Sequence, residues 1–307
     1  MKKREIQGHI MALIPIFVWG VTFVSTKQLL RVYTPEELLV YRFFLATLVI
    51  LLIPPIKISF TKLKEEMLFA LLGLFGITLY YWFENIALHY TYATNVGLIT
   101  STIPIWTALL AHFLLKDEKF SIDFIIGFLL SISGIALILL NGKMLKLNPL
   151  GDFLAILTTF CFAIYSVLLR KIKGNYSQLY IAKKIFLYGY IFIVPLAIGF
   201  KIPLPKISSL DNLTVFNFLF LSLIASVLCF ILWNKAISLI GAVKPSNYIY
   251  YIPIITMISA YFILEERITL VMLTGGILVF LGVYFNNAKF IEKFRRKEKV
   301  AHIGGLK

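Results

Sequence analysis

The sequence predicts an all-α integral membrane protein with ten transmembrane helices arranged as two inverted five-helix repeats. Three observations predict it. The 307 residues are 60% hydrophobic and only 15% charged, with a mean hydropathy of +0.88, whereas a soluble domain is about 25% charged. The apolar residues come in long blocks separated by short charged punctuation, each close to the roughly 20 residues a helix needs to cross a bilayer. The second half of the chain then repeats the marks of the first in the same order, 149 positions later at Asn85 and Asn234. Membrane strands are excluded, because the blocks are about twice the length of a barrel strand and lack its apolar/polar alternation.

Ten blocks have the required length: 8–29, 36–54, 67–88, 95–115, 121–141, 150–169, 178–200, 214–234, 245–264 and 269–287. The first is expected to stay in the mature protein, being too long for a signal peptide, without a small-residue cleavage site, and ending on Ser25, Thr26 and Lys27. The second carries Arg42. The third and eighth carry Asn85 and Asn234, and the fourth and ninth carry Pro104 and Pro253. Gly127, Gly134, Gly275, Gly276 and Gly282 mark close-packing points on the fifth and tenth. The sixth opens on "GDFLAI" at Gly151, answering "GHIMAL" at Gly8. The seventh contains Lys183 and Lys184 about two turns in, and a lysine at mid-depth costs about 2.5–3.5 kcal/mol. Both are expected to snorkel to the headgroups.

An even number of spans puts both termini on one side. Eighteen of the thirty Lys and Arg residues lie on that side and six on the other, so both termini are expected in the cytoplasm of a multi-pass protein of the cell membrane. The net charge of +15 sits in loops and tails rather than along one soluble face, which argues against a nucleic-acid partner. The basic tail, 288–307, is a topology anchor drawn to anionic lipids of the bilayer. Cys161 and Cys229 both lie in oily segments, as small apolar fillers. No loop is long enough for a soluble catalytic domain, no nucleophile sits with a base, no His/Cys spacing fits zinc, and no cofactor is implied.

The repeat is read by laying "WFENIALHYTYATNVGLITSTIPIWTALLAHFLLKDE" on "ILWNKAISLIGAVKPSNYIYYIPIITMISAYFILEE". Asn85 falls on Asn234, Ala87 on Ala236 and Pro104 on Pro253; after a one-residue slip Glu118 falls on Glu266, Gly127 on Gly275 and Gly134 on Gly282. The units are 1–142 and 150–287. With five spans in each, the second copy enters the membrane from the opposite face, the plan of alternating-access carriers built around a midplane site. These doubled marks, with "VWG" at 18–20, resemble the drug/metabolite transporter superfamily, specifically its ten-helix EamA-type carriers. The resemblance implies movement of small metabolites through a cavity surrounded by helices one, three, four, six, eight and nine. It also implies that helices five and ten act as scaffold or as a homodimer contact. The chain departs from the pattern at Phe162-Ala163, where the second half lacks a match to Trp19-Gly20.

Candidate site residues follow from polarity inside oily spans. Asn85 and Asn234 must face partners, either as substrate ligands or as interhelical hydrogen bonds. Thr78, Trp82, Asn85 and His89 share one stripe of the third span; Ser222, Ser226, Cys229 and Trp233 share one of the eighth. Trp82 and Trp233 suit either a pocket or a membrane interface. Asn95, Thr100 and Ser101 before Pro104, and Asn247, Tyr248 and Tyr251 before Pro253, form polar, irregular segments at matching places, with the prolines as gating points. Glu84 either carries a coupling proton or forms an ion pair with Arg42 or Lys27. Arg42 either holds a substrate carboxylate or snorkels at a helix end. His89 sits at the water boundary, and His112 is a packing residue rather than a metal ligand. The expected function is secondary transport of a small organic metabolite, with amino acids and similar amphipathic molecules leading. The alternative is a membrane enzyme or a non-transporting membrane protein, neither of which needs mirrored halves.

Overall fold

The computed structural model describes residues 2–54, 58–115, 122–144, 148–172, 176–204 and 211–288. Among these residues the chain is helical throughout, with no strand, and forms ten rods. They are α1 (Lys2–Leu29), α2 (Pro35–Leu52), α3 (Leu63–Tyr90), α4 in two pieces (Ala93–Thr100 and Ile103–Leu115) and α5 (Ile122–Met144). The second half follows with α6 (Pro149–Leu169), α7 (Gln178–Gly199), α8 (Asn212–Ile240), α9 (Val243–Leu264) and α10 (Leu270–Ala288). Seven of them, α1, α3, α4, α6, α7, α8 and α9, are long and apolar enough to cross a membrane. α2 has the length but carries Glu36, Glu37 and Arg42, and the described apolar stretches of α5 and α10 are shorter. The basic tail beyond residue 288 lies outside the described residues, as do the loop residues Lys116, Asp117 and Glu118.

Local chemistry sets the helix ends. α2 opens on a capping box, in which the Thr34 hydroxyl accepts from the Glu37 amide at 3.2 Å and the Glu37 carboxylate accepts from the Thr34 amide at 2.9 Å. α9 closes on Glu265 in the left-handed region, φ 55°, with the Glu266 amide donating back to the Ala260 carbonyl at 3.3 Å. That turn aims Glu266 into the bundle.

Two kinds of irregularity recur in the long helices. α3 and α8 each widen into a π-helical segment, Leu74–Leu79 and Phe220–Leu228. α4 breaks at Ser101–Thr102, and α9 tightens into a 3-10 turn at Asn247–Tyr251, each just before its proline. The cause is local: proline has no amide hydrogen and its ring crowds the carbonyl one turn back, so the helix restarts with proline in its first turn.

In a bilayer, helices gain no hydrophobic drive toward each other and associate where small residues let backbones approach. α5 and α10 meet in this way. A Cβ on Gly134 would lie 2.5 Å from the Gly275 carbonyl oxygen, and one on Gly282 would lie 2.4 Å from the Gly127 carbonyl oxygen. Gly276 instead faces Leu98 of α4. Elsewhere α1 packs on α8 and α9, α6 on α3 and α4, α2 on α7, and α4 on α9.

Lys183 and Lys184 do not snorkel. Both are buried. Lys183 Nζ donates to the carbonyls of Leu51 at 3.2 Å and Ile53 at 2.6 Å, where the end of α2 leaves orphan acceptors and a negative dipole. Lys184 pairs with Glu66 of α3 at 2.7 Å. Two charges that looked expensive in isolation are therefore satisfied inside the protein.

Gly134→Val is expected to drive α5 off α10 and lower stability by about 1–3 kcal/mol through overpacking. The check is the thermal unfolding midpoint of purified protein in detergent, with Gly199→Ala, where a Cβ meets nothing within 4 Å, as the neutral control.

Candidate functional site

The middle of the bundle is aromatic and nearly closed. α1 contributes Trp19, Thr22 and Phe23, α3 contributes Tyr80, Tyr81 and Glu84, α4 contributes Thr100 and Ile103, and Phe162 comes from α6. Together with Ile249 and Ile252 of α9 they enclose a cavity of about 20 Å³, room for about one water molecule. The rings interlock: Trp19 meets Trp233 at 5.1 Å and Phe162 at 5.7 Å between centroids, and Tyr80 meets Phe162 at 5.4 Å. Trp19 donates its indole N–H to the Ala225 carbonyl at 3.0 Å.

Two buried charges of opposite sign, Glu84 in the wall and Arg42 behind it, stand at this cavity without a direct ion pair. Arg42 is 1% exposed, stacks over the Tyr81 ring at 4.3 Å and donates from Nε to the Ser226 hydroxyl at 3.0 Å. Arg42 is thus held in the interior and does not snorkel. Glu84 is 2% exposed, feels the charge of Arg42 and lies one turn from Tyr80 on α3. One oxygen of Glu84 and one terminal nitrogen of Arg42 have no partner. Lys27, the other expected partner of Glu84, reaches Glu266 instead.

The bundle is pinned at both ends. At the end where α1 finishes and α4 begins, Glu266 accepts from the amides of Ala93 at 2.7 Å and Thr94 at 3.0 Å and from the Thr94 hydroxyl at 2.8 Å. It also sits 3.7 Å from Lys27, which in turn donates to the Thr91 carbonyl. A carboxylate at a helix N-terminus meets unpaired amides and the positive end of the dipole. Beside it, buried Asp152 of α6 accepts from the Thr91 hydroxyl at 2.7 Å and from Asn95 at 3.2 Å. At the opposite end Glu66 gathers Lys184, the Tyr188 hydroxyl and both the amide and hydroxyl of Thr61. There His9 of α1 also meets the Tyr248 hydroxyl at 2.8 Å.

The candidates read from sequence are dispersed over this frame. Thr100 and Glu84 face the cavity. Trp233 is fully buried against Trp19, with its indole N–H unpartnered, so it belongs to the core and not to a membrane interface. Trp82 is half-buried, 3.5 Å from Glu36. Asn85 donates to the Pro35 carbonyl at 3.0 Å, and Asn234 accepts from the Tyr165 hydroxyl. The hydroxyls of Thr100, Ser101 and Thr102 donate to the carbonyls of Val96, Leu98 and Ile99. They supply hydrogens around the break before Pro104. Ser101 and Pro253 also border a separate apolar groove of about 280 Å³ between α4, α9 and α10. Tyr248 stacks on Tyr251, which is 49% exposed and away from the cavity. The side chain of Asn247 lies outside the described residues.

Sequence reasoning did not single out Trp19, Tyr80, Tyr81 and Phe162 as cavity walls. Aromatic residues make up 15% of the chain, so none stands out by type. One signal was available: Trp19 and Phe162 occupy matching places in the repeat, given that Gly8 answers Gly151.

The sequence pattern of the EamA-like transporter family matches residues 6–140 and again 149–288. The chain belongs to this family. An uncharacterized transporter of Archaeoglobus fulgidus is 30% identical over 288 residues, 92% of this chain and 97% of the relative. One of Bacillus subtilis is 28% identical over 310 residues, covering 97% and 99%. A protein of Escherichia coli described as a probable amino-acid metabolite efflux pump is 22% identical over 290 residues, covering 90% and 93%. A solved crystal structure superposes with a TM-score of 0.64 at 15% identity over 92% of this chain and 97% of its own, a likeness of fold. Family and relatives alike point to transport rather than catalysis.

Glu266→Ala is expected to strip the acceptor from two helix-terminal amides and from Lys27, loosening that end. In a Thr91→Cys background, the buried thiol should react with a water-soluble maleimide several-fold faster after Glu266→Ala, measured against the buried Cys161 and Cys229.

Proposed function

We propose that this EamA-like transporter is a secondary carrier of small organic metabolites, with ten spans in two inverted repeats that rock around the central cavity by alternating access. The observation that carries the reading is a set of contacts preserved when the halves are exchanged. α1 against α8 and α9 becomes α6 against α3 and α4, while α2–α7, α4–α9 and α5–α10 map onto themselves. Residues at matching places touch across the centre: Trp19 with Phe162, Phe43 with Phe186, and Tyr81 with Phe230. Gly134 against Gly275 becomes Gly282 against Gly127. The π segments and the breaks before Pro104 and Pro253 also recur at matching places. Such paired discontinuities are where carriers of this plan bend and bind.

The cavity of about 20 Å³ is far below the roughly 300 Å³ of a ligand pocket, so the conformation described is an occluded one. Substrate enters when one pinned end releases, with the Glu266 cluster closing one side and the Glu66 cluster the other. The bias of basic residues supports a cell-membrane protein with cytoplasmic termini, and this puts the Glu266 cluster outside. Amino acids and related metabolites head the substrate list, in keeping with the name of the Escherichia coli relative.

Two measurements test this reading. Reporter fusions after residues 61, 146 and 206 should report inside, outside and outside, and a reversal at any of them breaks the five-plus-five plan. Proteoliposomes preloaded with a cell-metabolite extract should exchange at least one labelled amino acid or amine faster than protein-free vesicles. Absence of exchange across the extract would remove the carrier reading.

A further inference from the structure

The chemistry of the cavity wall is one-sided. Trp19 has spent its N–H on the Ala225 carbonyl, Thr22 its hydroxyl hydrogen on the Trp19 carbonyl at 2.8 Å, and Thr100 its own on the Val96 carbonyl at 2.6 Å. Of the described lining side chains, only Tyr80 and Tyr81 keep a hydroxyl hydrogen to offer, and Tyr80 lies one turn from Glu84 on α3. What the wall presents is lone pairs, ring faces and one carboxylate oxygen of Glu84 with no partner. Arg42 is not part of the lining: it stands behind Tyr81, and no direct ion pair joins it to Glu84. A carboxylate entering here would meet Glu84 and, as donors, only the hydroxyls of Tyr80 and Tyr81. An ammonium would meet a counter-charge and the negative faces of aromatic rings.

We propose that this cavity is an ammonium site, with Glu84 as counter-ion to the protonated amine of the transported molecule and the rings of Trp19, Tyr80, Tyr81 and Phe162 as its walls. The substrate class is accordingly small organic amines, for which a carboxylate is dispensable. This rests on the carrier reading and narrows it. The volume matches: a space for about one water molecule in the occluded state accommodates a single ammonium head, and the remainder of the molecule needs the opening of one end.

The test uses purified full-length protein and three probes with one aromatic body and different charges: phenethylamine, phenylalanine and 3-phenylpropionate. Scintillation proximity binding is expected to rank the amine at least tenfold above the acid, with the amino acid no better than the amine. Glu84→Gln, near-isosteric, should lower amine binding tenfold or more, and Glu84→Asp should recover part of it. Equal binding of 3-phenylpropionate and phenethylamine by wild-type protein, or no amine binding at millimolar concentration, would overturn the assignment whether or not the variants fold. So would wild-type binding by a Glu84→Gln protein that elutes as a single species. Counterflow in proteoliposomes separates the two proposals. Amine binding without flux removes the carrier reading and keeps the site, whereas flux of 3-phenylpropionate that ignores the amine removes the site and keeps the carrier.

Discussion

A carboxylate or ammonium taken out of water must find its partner within the protein, because hydrocarbon offers none and the cost of leaving it bare is several kcal/mol. That constraint organises this bundle. Glu266 reaches from the α9–α10 turn to the start of α4 and to Lys27 of α1, so three separate stretches of chain are fastened by one side chain. Glu66 does the same at the other end for α3, α7 and the segment at Thr61. Both fasteners hold together parts that a rocking motion would have to separate.

The middle of the molecule meets the same demand by different means. Around the break in α4 the run Thr100-Ser101-Thr102 turns its three hydroxyls onto the carbonyls of Val96, Leu98 and Ile99, so no hydroxyl of the irregular stretch is left unpaired. In α8 the Ser226 hydroxyl donates to the Leu221 carbonyl at 2.8 Å within the π segment, while accepting from Arg42. Irregular backbone and buried charge are thus coupled through single side chains. A shift of α2 relative to α8 would disturb both together.

The repeat constrains the backbone more tightly than it constrains side chains. Helix pairings, π segments and breaks recur in both halves, yet Trp19 answers Phe162, Tyr81 answers Phe230, and Glu84 has no acidic counterpart, since "FENIA" answers "LWNKA" and Glu84 falls on Trp233. A cavity on a near-symmetric frame is in this way chemically lopsided, with its carboxylate on α3 alone. Backbone packing is set by small residues and helix length, which tolerate exchange of the halves. A binding site needs only one correctly placed charge, which does not require a twin.

The sequence by itself determined the membrane class, the doubled order of marks, the places where α4 and α9 are interrupted and the close-packing glycines on α5 and α10. These depend on local properties: hydropathy over about 20 residues, the missing hydrogen of proline, the missing Cβ of glycine. Only the tertiary structure decided which partner each buried polar group takes. Lys183 and Lys184 looked like snorkelling side chains, and Asn95 like a pocket ligand. In the folded chain they reach the end of α2, Glu66 and Asp152 respectively. The two lysine partners lie 130 and 118 residues away in sequence and the Asn95 partner 57, so none of the three is registered by local hydropathy.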